Sequence, residues 1–380
     1  MLVVRFRHAA ACWALVALCT IAAAAAPLGG QGIPDRLSDA EFWKMFNGFS
    51  ETDGYFQSEN LLSNETGFLT VIPELVKTVK PGGVYVGVGP EQNFTYIAAL
   101  HPRMAFIVDI RHQNAVHHLL YKALIELSEN RADFLSRLFS RPRPAAATAN
   151  MSIDSLFALY ASVPHDSVLF YKTMDAVKER LMTFHGFELT KDDQQWLLHN
   201  FDAFYNAGPE LNYSYGTNNF NGNRGMPTYS SLMQATDNAG IRRSYLAADS
   251  SYQVLRDLEL RNLIVPVTGN FAGPKALRAV ADYVRKQNAT ITTFYTSNAE
   301  QYLFQNGIWF DFEANVATFP LDATSVFIRS GRPGNTGYGG GGRGFGGGMA
   351  TSLLQSMMEL VKATNEKRIT GYQDVLNTSH

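Results

Sequence analysis

Short apolar runs alternate with amphipathic segments in two parts of the chain, and this alternation indicates the fold. The first part has a β-branched run over 84–88, helical spacing over 94–100, a second apolar run over 104–109 and helical spacing over 115–127. Strand, helix, strand and helix at these intervals predict a βαβ unit, in which parallel strands are joined by a right-handed crossover.

The same alternation returns in the second half of the chain, after a long stretch that predicts no strands. Residues 151–208 have helical spacing, and 209–229 are rich in Asn, Gly and Tyr with no period. We interpret this second stretch as a lid over a ligand, and an ordinary surface loop is the alternative. We expect strands over 244–248, 262–268, 289–295 and 325–329, the last one closing the sheet, and helices over 274–286 and from Ala299.

These patterns together predict one α/β domain with a Rossmann-like sheet, interrupted by a helical and loop insertion at about 142–240. A capping box, in which Ser38 is followed three residues later by Glu41, predicts the start of a helix before the sheet. A second helix is expected over 68–79 and a C-terminal one over 352–364. The predicted segments are a signal peptide over 1–25, a helical segment over 26–83, the Rossmann-like domain over 84–330, a Gly-rich loop over 331–351, and a helix with a polar tail over 352–380.

The N-terminus has the features of a secretory signal peptide. Basic residues Arg5 and Arg7 precede an apolar run over 9–21, and small residues then lead to Pro27. The alternative, a membrane anchor, needs about 20 strongly apolar residues, and this run is shorter and rich in Ala. We therefore expect an exported bacterial protein, periplasmic or secreted, that does not stay in the membrane after cleavage.

The cysteine content, the net charge and the spacing of the histidines exclude several kinds of site. Cys12 and Cys19 are the only cysteines and both fall in the signal peptide, so we expect no disulfide and no thiolate site in the mature chain. A formal net charge of −2 gives no general attraction to nucleic acid. The histidines at 112, 117 and 118 lack i,i+4 spacing, so no metal site is predicted.

The strongest local motif follows the first predicted strand. Gly87 allows a tight turn, Gly89 allows close approach of a ligand, and Asp109 lies twenty residues further on, where a carboxylate can bind a ribose diol. The alternative is an ordinary strand-to-helix turn with a surface Asp. Two positions depart from the nucleotide-binding pattern, since Gln92 stands where a third glycine is usual and Tyr85 where methyltransferases carry an acid.

Several longer segments carry a resemblance to a known family. The chain resembles an uncharacterised, methyltransferase-like family first noted as a Leptospira hypothetical protein, from about Phe42 to Arg329. The similar segments lie at Gly54–Glu65, Tyr85–Ile97, Phe106–Arg111, Asn262–Ala276 and Ser297–Leu303.

This resemblance implies the class I fold of S-adenosylmethionine-dependent methyltransferases, with S-adenosylmethionine as the cofactor. On that pattern Asp249 would end the third strand near the adenine, and Asn270 would follow the fourth strand near the transferred group. The implied cofactor-binding residues are Gly87, Gly89, Pro90, Glu91, Asp109 and Asp249. Two alternatives stay open, because Asp249 can cap a helix and Asn270 can be a turn residue that is no general base.

Three functions are compatible with these features. The first is methyl transfer to an unknown acceptor, with Asn270 as a weak candidate for the reacting end of the site. The second is a degenerate methyltransferase fold that binds a small molecule outside the cytoplasm, where S-adenosylmethionine is not expected. The third is a hydrolase that uses Glu59 with neighbouring Asp53 and Glu65. The segment 269–275 is similar to a phosphate-binding loop, but its spacing favours a strand-to-helix turn with Pro274 at the first helical position.

Overall fold

The computed structural model describes residues 32–56, 58–213, 215, 226–331 and 351–379. The predicted signal peptide, most of the predicted lid and most of the Gly-rich segment lie outside these described residues. Within them, none of the helices combines the length and apolarity that crossing a membrane requires.

A six-stranded, mostly parallel sheet forms the centre of the molecule. Its strands are β1 (Val84–Gly87), β2 (Met104–Asp109), β3 (Ile264–Thr268), β4 (Ile291–Ser297), β5 (Val326–Gly331) and β6 (Thr351–Ser356). They lie in the order β3-β2-β1-β4-β5-β6, with the first five parallel and β6 antiparallel to β5. This strand order is that of the doubly wound nucleotide-binding sheet. The predicted α/β class with a sheet flanked by helices is therefore confirmed, and the sheet is compatible with a Rossmann-like fold.

The strands form where the sequence has unbroken apolar runs. Every residue of β1, β2 and β3 is buried, so helices and loops cover both faces of these strands. Parallel strands covered in this way lack the alternation of a half-exposed strand, because no face meets water. In the register, Val84 pairs with Met104 and Asp109 with Thr268, which brings the carboxyl ends of β1, β2 and β3 to one edge.

Fifteen α-helices are present in the described residues, and seven of them lie between β2 and β3. They are α1 (Asp39–Phe49), α2 (Ile72–Thr78), α3 (Gln92–Leu100), α4 (His112–Glu126), α5 (Arg131–Leu138), α6 (Ile153–Ala161), α7 (Ser167–Lys178), α8 (Lys191–Ala207), α9 (Tyr229–Gln234), α10 (Asp249–Leu260), α11 (Ala276–Lys286), α12 (Ala299–Gln305), α13 (Trp309–Val316), α14 (Met357–Asn365) and α15 (Tyr372–Asn377). A π-helical turn, Glu179–Phe184, continues α7, and a 3-10 turn, Gly208–Glu210, follows α8.

Local capping fixes several of these boundaries. The capping box of Ser38 and Glu41 begins α1, as predicted, and that of Thr190 and Asp193 begins α8. Gly208 ends α8 with φ at +56°, a conformation that glycine adopts without steric cost. Helix α1 packs against β3 and α2 against α3, so the segment that precedes the sheet shares its core.

The strand predicted over 244–248 is wrong. This segment forms turns, in which the guanidinium of Arg131 donates to the carbonyls of Leu246 and Ala247, and Tyr245 packs in the helical insertion instead of the sheet. Asp249 begins α10 and does not end a strand. Consequently Asn270 follows the third strand along the chain, not the fourth.

Two further boundaries also differ from the predictions. The strand over 325–329 does not close the sheet, because β6 pairs antiparallel with β5 and takes the first residues of the predicted C-terminal helix. That helix begins only at Met357, where the Ser356 hydroxyl accepts from the Glu359 amide. Helix α2 begins at Ile72, after turns over 68–71.

Candidate functional site

A cavity of about 340 Å³ opens at the carboxyl ends of four neighbouring parallel strands. Its walls include 88–90 after β1, 109–111 after β2, 269–271 after β3 and 297–299 at the end of β4. The chain reverses its winding direction between β1 and β4, and ligands of open α/β sheets bind at such a switch point. The remaining walls come from Tyr55, Phe56, Asn60, Ser63, Asn64, Glu65, Tyr302, Leu303, Asn306 and Ile308.

The turn after β1 is held by the side chain of Asn93. Its amide nitrogen donates to the carbonyls of Val88, Gly89 and Pro90 at 2.9, 3.2 and 2.7 Å. A Cβ on Gly87 would lie 1.9 Å from Asn93 Oδ1, so only glycine allows this approach. Gly89 has φ at +75° and lines the cavity without a side chain. The turn is thus tight and fixed from beneath.

Both departures from the nucleotide-binding pattern have structural roles. The Tyr85 hydroxyl donates to Asn93 Oδ1 at 2.9 Å and so orients the amide that holds the turn. The Gln92 amide nitrogen donates to Glu65 Oε2 at 3.0 Å, and its oxygen accepts from the Ser63 hydroxyl. The side-chain hydrogen bonds of Tyr85 and Gln92 therefore hold the turn and the start of α3 in place. Gln92 stands at the position where the common pattern has its third glycine.

Asp109 lines the same cavity as the Gly89 turn. It is 5 % exposed, and its Oδ1 accepts from the Arg111 amide at 2.9 Å and from Arg111 Nε at 3.3 Å. Arg111 also donates to the carbonyls of Ser58, at 3.0 Å, and Glu59, and its guanidinium carbon lies 5.9 Å from the centre of the Phe56 ring. Arg111 thereby ties the segment 55–60 to the end of β2.

Glu65 is a second acid in the cavity wall. Its Oε1 accepts from the hydroxyls of Ser297 and Tyr295, the latter at 3.1 Å, and Oε2 accepts from Gln92. Burial raises the pKa of Glu65, while these three donors favour its charged form and act in the opposite direction. Burial outweighs these hydrogen bonds, so the neutral form of Glu65 is more favoured than that of an exposed glutamate.

The loop that contains Asn270 is fixed by Glu51. The Glu51 carboxylate accepts from the amides of Asn270, Lys275 and Ala276 at 3.1, 2.8 and 2.8 Å. Asn270 Oδ1 accepts from the Ala272 amide at 2.9 Å, as in an Asx turn. The amides of the segment 269–275, which is similar to a phosphate-binding loop, thus donate to the Glu51 carboxylate of the same chain. Asn270 is a turn residue, which is the alternative left open by the sequence.

Four predicted site residues do not line the cavity. Gly87 lies beneath the turn, and Glu91 is fully buried, with burial raising its pKa to about 8. Asp249 Oδ1 accepts from the Arg131 amide at 3.2 Å at the start of α10. Glu59 Oε2 accepts from His199 Nε2 at 2.9 Å. Gly89, Pro90, Asp109 and Asn270 are the predicted residues that the structure brings together in the cavity.

Comparison with known proteins places the chain in a family. The sequence model described as a domain of unknown function (DUF7790) matches residues 61–345. The chain belongs to this family. The matched residues include β1 to β5 and all the loops that follow β1, β2, β3 and β4 around the cavity. No curated protein matches the chain.

Sequence reasoning missed several residues of the site in this DUF7790 chain. Ser297 is the last residue of β4, and Asn298 follows it. Both could have been predicted, because ligands of open α/β sheets bind at the carboxyl ends of parallel strands. No such signal existed for Phe56 or for the role of Glu65, because both precede the sheet in the chain and reach the cavity only through tertiary packing. In the described part of the chain, no three His, Cys, Asp or Glu side chains are grouped as metal ligands.

Proposed function

We propose that the cavity binds a nucleoside-containing ligand, S-adenosylmethionine in the first instance, and that the chain passes its methyl group to an acceptor. The observation that supports this proposal is that Asp109 and the Gly89 turn line one cavity at the switch point of the sheet. A glycine turn after one strand and a carboxylate at the end of the neighbouring strand form the arrangement that recognises a nucleoside in dinucleotide-binding folds.

The residues of the cavity fit such a ligand. Oδ1 of Asp109 already accepts two hydrogen bonds, so we assign the ribose hydroxyls to Oδ2. Phe271 and Tyr302 supply aromatic surface against which a purine can pack. S-adenosylmethionine supplies an activated methyl group, and its transfer depends mainly on the alignment of the two reactants, so no general base is required.

A second candidate is ligand binding without transfer. It is favoured by the pairing of Asp109 with Arg111 and by the use of Asn270 as a turn residue, since both leave fewer free polar groups for catalysis. The expected export of the chain favours the same alternative. No contact favours the hydrolase, because the Glu59 side chain pairs with His199 and does not line the cavity.

Calorimetry with S-adenosylmethionine and S-adenosylhomocysteine tests the proposal. We expect micromolar binding, weakened about ten- to hundredfold in Asp109→Asn because a hydrogen bond to a charged group is lost. Glu59→Gln is the matched control and should bind as the wild type does. Absence of binding at millimolar ligand removes the proposal, and unchanged affinity in Asp109→Asn places the ligand elsewhere.

Transfer is measured separately from binding. The purified chain is incubated with S-adenosylmethionine labelled in its methyl group and with fractions of small molecules and peptides. Label that appears in a fraction and disappears with Asp109→Asn supports the methyltransferase. Tight binding without any labelled product favours the binding module.

A further inference from the structure

Glu65 is a buried carboxyl group in the cavity wall with only neutral partners. The residue is 6 % exposed, and its hydrogen bonds come from Ser297, Tyr295 and Gln92. In the described part of the chain it forms no ion pair. A buried carboxylate without a cation is costly, so it either takes up a proton or gains a positive partner.

In the described part of the chain, no Lys or Arg pairs with Glu65 from the cavity. Arg111 is the one Lys or Arg among the described residues that line it, and its Nε is bonded to Asp109. A nearby ion pair, Glu300 with Arg329, shows a buried acid that the chain itself neutralises with a cation. Glu300 is also fully buried, and Arg329 Nε lies 2.5 Å from its Oε2. Among the residues that the structure describes, no cation pairs with Glu65 in this way.

Three aromatic rings line the same cavity as this acid. Tyr295 donates to Glu65 itself, and the rings of Phe56 and Tyr302 meet edge to face with their centres 5.4 Å apart. The Phe56 ring already lies near one cation, the guanidinium of Arg111. Aromatic faces attract cations, most strongly where water is excluded.

We propose that Glu65, Tyr295, Phe56 and Tyr302 form a cation subsite, and that the ligand of the cavity carries an onium or protonated amine group. The cation of the ligand provides the positive partner that the Glu65 carboxylate lacks, and the aromatic rings exclude water around this cation. This proposal rests on the proposed function for the position of the ligand. The sulfonium of S-adenosylmethionine and an amine acceptor are both members of the ligand class that it names.

Two pairs of probes, each differing in charge, test the subsite. S-adenosylmethionine is compared with S-adenosylhomocysteine, which lacks the sulfonium charge but keeps the α-ammonium group. Choline is compared with the neutral 3,3-dimethylbutan-1-ol, and both pairs are measured by calorimetry and ligand-observed NMR. We expect the onium compound of each pair to bind about tenfold or more tightly than the partner that lacks the onium charge. The preference should disappear in Glu65→Gln, which keeps the shape of the side chain.

Glu313→Gln is the matched control for this substitution. Glu313 is a buried acid whose pKa burial raises, it accepts from the Thr364 hydroxyl, and it does not line the cavity. The preference for cations should survive this change. If it survives in Glu65→Gln as well, or if choline and its neutral isostere bind equally or not at all, the subsite is overturned.

The two probe pairs also separate this proposal from the proposed function. Binding of choline without binding of either adenosyl compound supports the subsite and removes the methyltransferase. Equal binding of the two adenosyl compounds, with no preference for choline, supports the nucleoside site and removes the subsite.

Ser297→Ala keeps the proposal falsifiable if Glu65→Gln does not fold. Removing the Ser297 donor makes Glu65 easier to protonate. Choline binding, measured from mildly acidic to mildly alkaline pH, should therefore be lost at a higher pH on acidification than in the wild type. The titratable groups that face Glu65 are phenols, and burial raises the pKa of each, so they stay neutral over this range. These phenols belong to Tyr85, Tyr96, Tyr295 and Tyr372. A pH profile of choline binding that matches the profile of the wild type contradicts the role of Glu65.

Discussion

Carboxyl groups are buried in two regions of the molecule, and the two regions differ in the partners that these groups have. Between α1, α4 and α10, Lys122 Nζ lies 2.7 Å from Glu126 Oε1 and 3.7 Å from Glu259 Oε2. His185 lies between Glu126 and Asp39, at 2.7 and 2.6 Å. In this ion cluster the acids are supplied with cations by the chain. In the cavity, the partners of Glu65 among the described residues are hydroxyl and amide groups.

The difference indicates which buried acid serves the fold and which is available to a ligand. In the ion cluster, Lys122 and His185 bridge acids on different elements and so hold these elements together. An acid that is buried beside a cavity and lacks a cation is costly to the fold, and a cationic ligand relieves that cost.

The largest effect is expected from Lys122→Met. This change leaves Glu126 and Glu259 buried without their main cation, and breaking a buried ion pair in this way costs about 3–5 kcal/mol of unfolding free energy. Urea unfolding measures the loss. The control is Lys77→Met, which removes an exposed pair with Glu74 and should change stability by less than about 0.5 kcal/mol. A small effect at Lys122 would mean that the cluster does not stabilise the fold.

On the cavity side, Gly87→Ala is expected to have the next largest effect. The new Cβ would lie 1.9 Å from Asn93 Oδ1 and 2.7 Å from the Tyr85 ring, so the turn must move, at a cost of about 1–3 kcal/mol. Ligand affinity should fall with it. Gly48→Ala in α1 is the control, because nothing lies within 4 Å of its Cβ and Ala favours a helix. Equal melting temperatures of the two variants would contradict the fixed turn.

Glu65 in the cavity wall and Glu126 in the ion cluster should contribute to stability with opposite pH dependence. Burial raises the pKa of Glu65 above the ordinary 4.5, so the folded chain keeps a proton that the unfolded chain loses. Its contribution to stability therefore declines as pH rises above about 4.5, at about 1.4 kcal/mol per pH unit while only the folded state is protonated.

Glu126 behaves in the opposite way. Burial acts to raise its pKa, but the hydrogen bond from His185 and the charge of Lys122 outweigh it and hold the pKa below 4.5. Its contribution is therefore present above pH 4.5 and is lost as pH falls. Urea unfolding between pH 3.5 and 7 of Glu65→Gln and Glu126→Gln, each subtracted from the wild type, checks both signs. Differences that run in the same direction would remove the distinction between the regions.

The smallest effect is expected from Glu51→Gln. This change removes a negative charge from the start of α11, where three amides meet it, and should cost about 0.3–1 kcal/mol. Because the same amides fix the Asn270 loop, ligand affinity should also decrease. Glu74→Gln, in the exposed first turn of α2, is the control and should leave ligand affinity unchanged.

Prediction from sequence succeeded where a local pattern is compatible with only one kind of structure. The buried runs at β1, β2 and β3, the cap at Ser38, and the joint position of Gly89 and Asp109 belong to this class. It was wrong at 244–248, where the apolar side chains pack into the helical insertion. It was also wrong at 351–356, where strand pairing with β5 outweighed helical spacing.

The sequence alone determined a parallel sheet, because continuous apolar runs separated by amphipathic helices can be buried in few other ways. It also determined a turn and an acid at one edge of that sheet, since parallel strands bring their carboxyl ends together. Only the tertiary structure decided which acids meet cations and which face a cavity. Glu65, Ser297 and Arg111 are far apart in the chain, and the packing that joins them depends on contacts that no local pattern encodes.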